Sequence, residues 1–402
     1  MTAKGLLAGY RVVDTSWAAA GPYATEILAF LGAEVIKVET SGHPDLFRRI
    51  VDNPAAGLDA STRFNALNLG KLGLRVNLQK PAGLEIFRRL IAKSDAFVEN
   101  YRPGVVDRLG ISYSELIKLK PDLVMISISA AGRGGPHSSH PGYASIFNAM
   151  GGLGHLTGYR DGPPTEVRDS VDLRVASVAA FAVVAALLHR KRTGAGQWVD
   201  ISAREAIASF VGDALIEFAL TGVSPVRDGN HAALNAPYDV FRCQGEDSWV
   251  AIGVSTDEEW VRLCDAMCRP ELAGDSRFAD RLSRHEHRDE LDVLVGGWTT
   301  GLTASDAAAR CRTRGVAASE VLGGGDFLSD SHVVARDMIQ EVEHPLLGNQ
   351  LVVRGPWRLG SGDGPPLKPS PMLGEDNEVV LAGLLGYSRD EIKGFRDANV
   401  FE

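Results

Sequence analysis

The chain has 402 residues, 45% of them hydrophobic, 23% charged and 7% aromatic. That balance supplies more than one core and excludes a disordered, collagen-like or disulfide-dense protein. The 42 Lys and Arg against 51 Asp and Glu leave a net charge of −9, which argues against general nucleic-acid or anionic-membrane binding, and an anionic small ligand would need a local cluster of cations or N–H groups.

In chain order the first half alternates strand-like and helix-like segments. Residues 10–14 (YRVVD) form a short β-branched run. Gly21-Pro22 interrupts, and residues 23–31 have helical spacing. Residues 34–38 (EVIKV) predict a second strand, 81–94 an amphipathic helix, 96–98 and 123–129 (LVMISIS) two more strands. Residues 136–158 are rich in Gly, Ser and His and predict a loop region around a short helix. The apolar run at 173–188 predicts a buried helix ending at the basic turn His189-Arg190-Lys191-Arg192-Thr193-Gly194, where cations and Gly suit a helix C-terminus. Residues 198–201 predict a strand and 203–220 a helix. Near-continuous apolar strands separated by helices indicate a parallel sheet covered on both faces.

The character shifts at 221–230 (TGVSPVRDGN), a linker pattern. Strands at 238–242 and 249–254, then helices at 258–267, 287–298 and 304–312, describe a smaller α+β unit. Gly323-Gly324-Gly325 and the Pro/Gly-rich residues 360–371 mark a return linker, and 377–385 and 390–397 predict two short helices. The longest apolar run, 175–188, is short for a bilayer span. The N-terminal residues carry no apolar signal core, so the expected address is the cytoplasm. Cys243, Cys264, Cys268 and Cys311 form no Cys-x-x-Cys motif and read as reduced, buried thiols.

No dinucleotide fingerprint, Walker loop or Gly-x-Ser-x-Gly elbow is present. His137-x-x-His140 and His285-x-His287 lack a companion Cys or carboxylate set at ligand spacing, so no metal is expected. Asp172 immediately precedes the long apolar run. It reads either as an N-cap or as a carboxylate kept ionised by the helix dipole and able to attack an activated acyl group. Local spacing leaves both open.

Several ordered stretches resemble the family III CoA-transferases, a group that includes formyl-CoA, carnitine and bile-acid CoA-transferases and shares its fold with α-methylacyl-CoA racemases. They include Gly9-Tyr10-Arg11-Val12-Val13-Asp14, Ala20-Gly21-Pro22-Tyr23-Ala24-Thr25, Leu31-Gly32-Ala33-Glu34-Val35-Ile36-Lys37-Val38-Glu39 and Asn68 with Lys71. Val98-Glu99-Asn100-Tyr101-Arg102-Pro103-Gly104, Asp107-Arg108-Leu109-Gly110, Arg192-Thr193-Gly194-Ala195-Gly196-Gln197, Leu373-Gly374-Glu375 and Leu385-Gly386-Tyr387-Ser388 continue the pattern. The resemblance covers essentially the whole chain and is weakest between about residues 270 and 330.

The resemblance implies an α/β fold: a large Rossmann-like CoA-binding domain with a parallel sheet, built from both chain ends, plus a small α+β domain. The implied boundaries are 1–220 for the N-terminal part of the large domain, 221–236 for a linker, 237–330 for the small domain, and 331–402 for the return linker and C-terminal part. It implies an interlocked homodimer, or a heteromer with a homologue. Counting back from Arg192-Thr193-Gly194, the family's nucleophile falls on Asp172, with Asp169 as its neighbouring competitor. CoA contacts carry over to Trp17, Ala18, Ala19, Ala20, Lys71, Asn100, Tyr101, Arg108 and Leu109, with Lys71 and Arg108 as cations for phosphate. Tyr143, His155 and His231 are candidates for the acyl pocket.

The chain departs from the family at Thr40, where an Arg is common. Residues 230–235 (NHAALN) replace the glycine-rich loop of formyl-CoA transferases, and Tyr143-Ala144 replaces the His-Asp pair of the racemases. Missing that His, two-base proton exchange at an α-carbon loses a partner. Acyl-CoA:carboxylate CoA-transfer through a covalent aspartyl-CoA thioester is therefore the expected reaction. The alternatives are a racemase or epimerase, and a non-catalytic CoA-binding subunit of a heteromeric transferase. Gly142-Tyr143-Ala144 and residues 152–164 resemble the branch with benzylsuccinate and other dicarboxylate CoA-transferases, which points to succinyl-CoA or a similar donor with an organic-acid acceptor. CoA would be a shuttling substrate, and no metal or resident cofactor is implied.

Overall fold

The computed structural model describes residues 5–51, 57–167, 170–360 and 364–402. The chain divides into two units, one of Met1–His155, Thr165–Pro225 and Ala335–Glu402, the other of Leu156–Pro164 and Val226–Val334.

In the first unit six strands form one parallel sheet: β1 (Arg11–Asp14), β2 (Glu34–Glu39), β3 (Leu72–Arg75), β4 (Ala96–Glu99), β5 (Val124–Ser129) and β6 (Gln197–Ser202), in the order β3-β2-β1-β4-β5-β6. β1 is central, with Val12 opposite both Val35 and Ala96. Its apolar side chains point alternately into two cores. On one face Val12, Val35, Val98 and Ile126 pack with helices α1 (Ala20–Phe30) and α3 (Ser170–Thr193). On the other, Val13, Ile36, Phe97 and Met125 pack with helix α2 (Pro81–Ala92) and with Val380, Leu381, Ile392 and Phe401 from the C-terminal segment.

That segment also finishes the edge strand β3, whose N–H groups would otherwise be exposed to pairing. Gly73 N donates to Asp376 Oδ2 (2.7 Å) and Arg75 N to Asn377 Oδ1 (2.8 Å). A Cβ on Gly73 would lie 2.6 Å from Met372 O, so this close approach requires glycine. β3 (LGLR) lacks β-branched residues and so carries no strand signal in the sequence.

Four predicted helices differ from expectation. α1 begins at Ala20, with Gly21 and Pro22 in its first turn rather than before it; an N–H there has no intrahelical acceptor, so Pro fits. α3 runs 24 residues and is long and apolar enough to cross a membrane by length and composition. Its stripe of Val171, Val175, Ala179 and Val183 is buried in the sheet–α1 core. The span expected at 203–220 divides into α4 (Ala203–Ala208), a 3₁₀ turn and α5 (Gly212–Thr221). The helix expected at 377–385 is a π-turn at Val379–Leu384, and an antiparallel hairpin of Ile339–His344 with Gly348–Val353 was not anticipated.

The second unit holds a three-stranded antiparallel sheet of Tyr238–Arg242, Trp249–Gly253 and Ala317–Glu320, the last missed because AASE carries no strand signal. Its core gathers Phe241, Val250, Trp260, Leu263, Leu291 and Ala307. Cys243, Cys264 and Cys311 are buried as free thiols, whereas Cys268 is exposed, contrary to expectation. It follows the helix Asp257–Ala266 with φ of 57°, beyond the last turn of the apolar stripe.

Glu26, on α1, is buried and accepts from Leu69 N at 2.8 Å. Burial pushes its carboxyl up to about 8, against the opposing pull of Lys71 and that N–H. The folded chain therefore keeps a proton that the unfolded chain loses near 4.5. Stability should fall as pH rises from about 4.5 to 8 and level off above it. Glu26→Gln keeps an acceptor for Leu69 N and removes the titration. Urea unfolding at pH 5 and pH 8 should show this decline flattened, with a gain of about 2–4 kcal/mol at pH 8.

Candidate active site

The strand order reverses between β1 and β4. In an open parallel sheet the crevice at the strands' C-terminal ends, at such a switch point, is where ligands bind. A cavity of about 800 Å³ opens there, lined wholly by the first unit. Its walls come from the loop after β1 (Trp17, Ala18, Ala19, Ala20), the ends of β2 and β5, residues 76–79, the loop after β4 (Asn100, Tyr101, Arg102, Pro103), residues 140–143, and Asp172.

The loop after β1 is held by buried charge. Asp14 ends β1, directly opposite Lys37 on β2. It accepts from Ser16 N (2.8 Å), Thr25 Oγ1 (2.7 Å) and Lys71 Nζ (3.0 Å). Burial alone would raise this carboxyl; Lys37, Lys71 and the hydroxyls of Ser16 and Thr25 overturn that and hold it well below the usual range. Lys37 Nζ donates to Ser16 O (2.6 Å) and to Asp45 Oδ2 (2.9 Å), and Asp45 Oδ1 receives Ala18 N at 3.0 Å. These bonds hold Ala18 at φ 59°, in the left-handed region a non-glycine residue rarely enters. Gly21 completes the bend, since a Cβ there would lie 2.2 Å from Ser16 Cβ.

Asn100 clamps the same loop from β4. Its Oδ1 accepts from Trp17 N (2.7 Å) and its Nδ2 donates to Trp17 O (2.8 Å). Trp17 meets the Tyr101 ring edge-on at 6.0 Å and stacks on His43 at 6.4 Å, making an aromatic corner. Burial pushes the Tyr101 phenol up to about 12, so its hydroxyl keeps its proton at neutral pH. Asn100→Ala removes two hydrogen bonds each worth about 1 kcal/mol net, so KM for an acyl-CoA should rise about tenfold with kcat little changed. Steady-state kinetics on the purified variant checks this.

Asp172 is the third residue of α3, within its first turn, and lies on the cavity wall. It is inside the helix rather than at its N-cap. The dipole favours its ionised form there. Asp169 falls outside the described residues.

Of the other expected site residues, Trp17, Ala18, Ala19, Ala20, Asn100, Tyr101, Leu109 and Tyr143 line the cavity. Tyr143 is 65% exposed. Lys71 lies off the wall: its side chain is fully buried, and its ammonium donates to Asp14, Pro22 O and Asn68 Oδ1 at 2.8–3.0 Å. Arg108 is exposed on the short helix Val105–Arg108, off the wall, as is His155 on Leu153–Leu156. His231 belongs to the second unit, where its Nε2 lies 2.8 Å from Asp292 Oδ2 and 3.5 Å from Asp239 Oδ2. These three side chains are the one group of metal-ligand type among the described residues. Arg102, His43 and His140 are on the wall and were not singled out as ligand contacts. Arg102 follows Asn100-Tyr101 in the same motif and could have been found from it; His43 and His140 come from loops with no such signal.

The chain matches the CoA-transferase family III over residues 7–377. It is 35% identical over 383 residues to the succinyl-CoA–D-citramalate CoA-transferase of Chloroflexus aurantiacus, covering 95% of this chain and 94% of that protein. It is 32% identical over 403 residues to the succinyl-CoA–L-malate CoA-transferase beta subunit of the same organism, covering 98% of each. The crystal structure of a CAIB/BAIF family protein from Brucella suis superposes with a TM-score of 0.85 at 29% identity, covering 95% of this chain and all of that one.

Proposed function

Because the chain belongs to CoA-transferase family III, we propose that it moves CoA from succinyl-CoA to an organic-acid acceptor through a covalent intermediate on Asp172. The observation that carries this reading is an aspartate in the first turn of a helix, on the wall of the switch-point cavity. Succinyl-CoA and a dicarboxylate acceptor are favoured because the two relatives above carry those substrates in their names.

The steps balance without an external reagent. An Asp172 oxygen attacks the thioester carbonyl, and the CoA thiolate leaves an acyl-aspartyl anhydride. The thiolate then attacks the Asp172 carbonyl, releasing the donor acid and forming an aspartyl-CoA thioester. The acceptor carboxylate attacks that carbonyl and expels the thiolate, which attacks the acceptor's acyl carbon and restores the Asp172 carboxylate. Each attack needs an ionised nucleophile and N–H donors for the developing oxyanion. The first turn of α1, at Ala19 and Ala20 on the wall, has N–H groups without intrahelical acceptors. CoA is a substrate throughout, and the scheme asks for no metal or resident cofactor. We place the reaction in the cytoplasm.

We propose further that the working form is an interlocked pair of chains. α5 buries none of its residues, and Leu215, Ile216, Phe218 and Leu220 are 52–81% exposed. An apolar face of this kind marks an interaction surface. Light scattering on the purified chain should give twice the chain mass; a monomer would require a homologous partner subunit or remove the dimer from the proposal.

The test of the chemistry is peptide mass mapping after incubation with succinyl-, acetyl- and propionyl-CoA, with hydroxylamine to trap activated carboxylates. A CoA adduct or hydroxamate on the Asp172 peptide supports the scheme. An unmodified peptide despite measured donor binding overturns it.

A further inference from the structure

One motif has no part in the transfer steps: His137-x-x-His140. It lies in a tight loop after β5, closed by Ser138 N donating to Gly135 O (3.3 Å) and His140 N donating to His137 O (2.9 Å). These turns bring the two imidazoles face to face, with centroids 4.7 Å apart and planes 19° from parallel. Behind them, Arg204 Nη1 lies 3.0 Å from His137 Nδ1. A guanidinium only donates, so His137 Nδ1 accepts and its ring proton sits on Nε2. Arg204 is anchored in turn by its own N–H, which donates to Ala130 O at 3.0 Å. The row guanidinium, imidazole, imidazole ends at His140, on the wall of the cavity that holds Asp172.

The cavity needs such a group. Acyl-CoA brings phosphates, and a dicarboxylic acid bound through one end brings a second, unreacting carboxylate. Among the described residues Arg102 is the only Lys or Arg on the wall; Asp172 adds negative charge, and the Glu39 carboxylate there is already paired with buried Arg48 at 2.9 Å. Arg204 fixes His137, and His137 stacks on His140, so the His140 ring is held in place with an N–H able to donate to an oxyanion in the cavity.

We propose that His140 is an anion-binding residue of this cavity, positioned by His137 and Arg204, and that it receives an oxyanion of the bound substrate: the free carboxylate of a dicarboxylic acyl group or a phosphate of CoA. The inference rests on the CoA-transfer reading and adds the residue that selects for a charged substrate. His137 and Arg204 are positioning residues.

The test is a charge series at position 140, His140→Arg, His140→Gln and His140→Glu, with kcat/KM measured for succinyl-CoA and for butyryl-CoA, which has the same chain length without the carboxylate. The expected order is Arg at least equal to His, then Gln about tenfold lower, then Glu lower still. That order with succinyl-CoA alone assigns the carboxylate; the same order with both donors assigns a phosphate. A purely structural role would not sort the variants by charge, and a flat series with both donors overturns the inference. Arg204→Met should give a smaller loss in the same direction, restored by Arg204→Lys. Calorimetric binding of CoA and of succinate to the wild type and His140→Glu separates the two readings. If no CoA transfer occurs but binding weakens about tenfold in the variant, the anion site stands and the transfer reading falls. Unchanged binding of both ligands overturns the site.

Discussion

Asp172→Asn is expected to abolish CoA transfer, lowering kcat by about 10⁴-fold or more, while binding of the acyl-CoA changes by no more than about threefold. The reasoning is one of chemistry at constant shape. Asparagine has the same size and the same place in the first turn of α3, and it loses only the anionic oxygen. An amide does not attack a thioester at a useful rate, so the first covalent step fails. The aromatic corner, the Asn100 clamp and the Ala18 bend are untouched, because they are held by Asp14, Lys37 and Asp45 on other elements. The measurement is paired: single-turnover transfer from succinyl-CoA, and equilibrium binding of CoA to the same preparation. Lost turnover with retained binding locates the nucleophile. Retained turnover moves the nucleophile elsewhere and sinks the scheme. Lost binding would make Asp172 a structural residue and equally overturn its assigned role.

Much of this was legible in the sequence, for physical reasons that can be named. The β-branched runs at β1, β2 and β5 are buried on both faces, so they read as continuous apolar segments. The hairpin Ile339–His344 also carried a signal, since IQEVEH alternates and buries Val342 and His344 while exposing Glu341 and Glu343, but it lay inside a stretch read as linker. β3 had no such signal. Its inner edge pairs with β2 and its outer edge with Asp376 and Asn377, some 300 residues away, and no local pattern encodes a partner at that distance. Asp172 could be placed next to an apolar helix from spacing alone, but not on a cavity wall. That took the switch point between β1 and β4, a property of strand order that only the assembled sheet has.

Lys71 shows the same limit from the other side, and yields the second large prediction. A lysine in a matching motif reads as a phosphate ligand, and the fold makes it the partner of a buried acid. Its side chain and that of Asp14 are both fully buried, 3.0 Å apart. The ammonium's three protons are directed at Asp14, Pro22 O and Asn68 Oδ1. Lys71→Met fills similar volume but removes one of the two lysines, Lys37 and Lys71, that act on buried Asp14. Removing one partner of a buried pair costs about 3–5 kcal/mol, because the remaining charge keeps its desolvation penalty. The expected result is a large drop in the urea unfolding midpoint, with KM for succinyl-CoA within about twofold of wild type in the fraction that remains folded at low temperature. A ligand role predicts the reverse pattern: near-native stability and a KM raised tenfold or more. Asp14→Asn supplies the control, since it should reproduce the loss of stability although no carboxylate would bind phosphate. Agreement between the two variants would assign Lys71 to the frame that sets the Ala18 bend, one step behind the ligand surface.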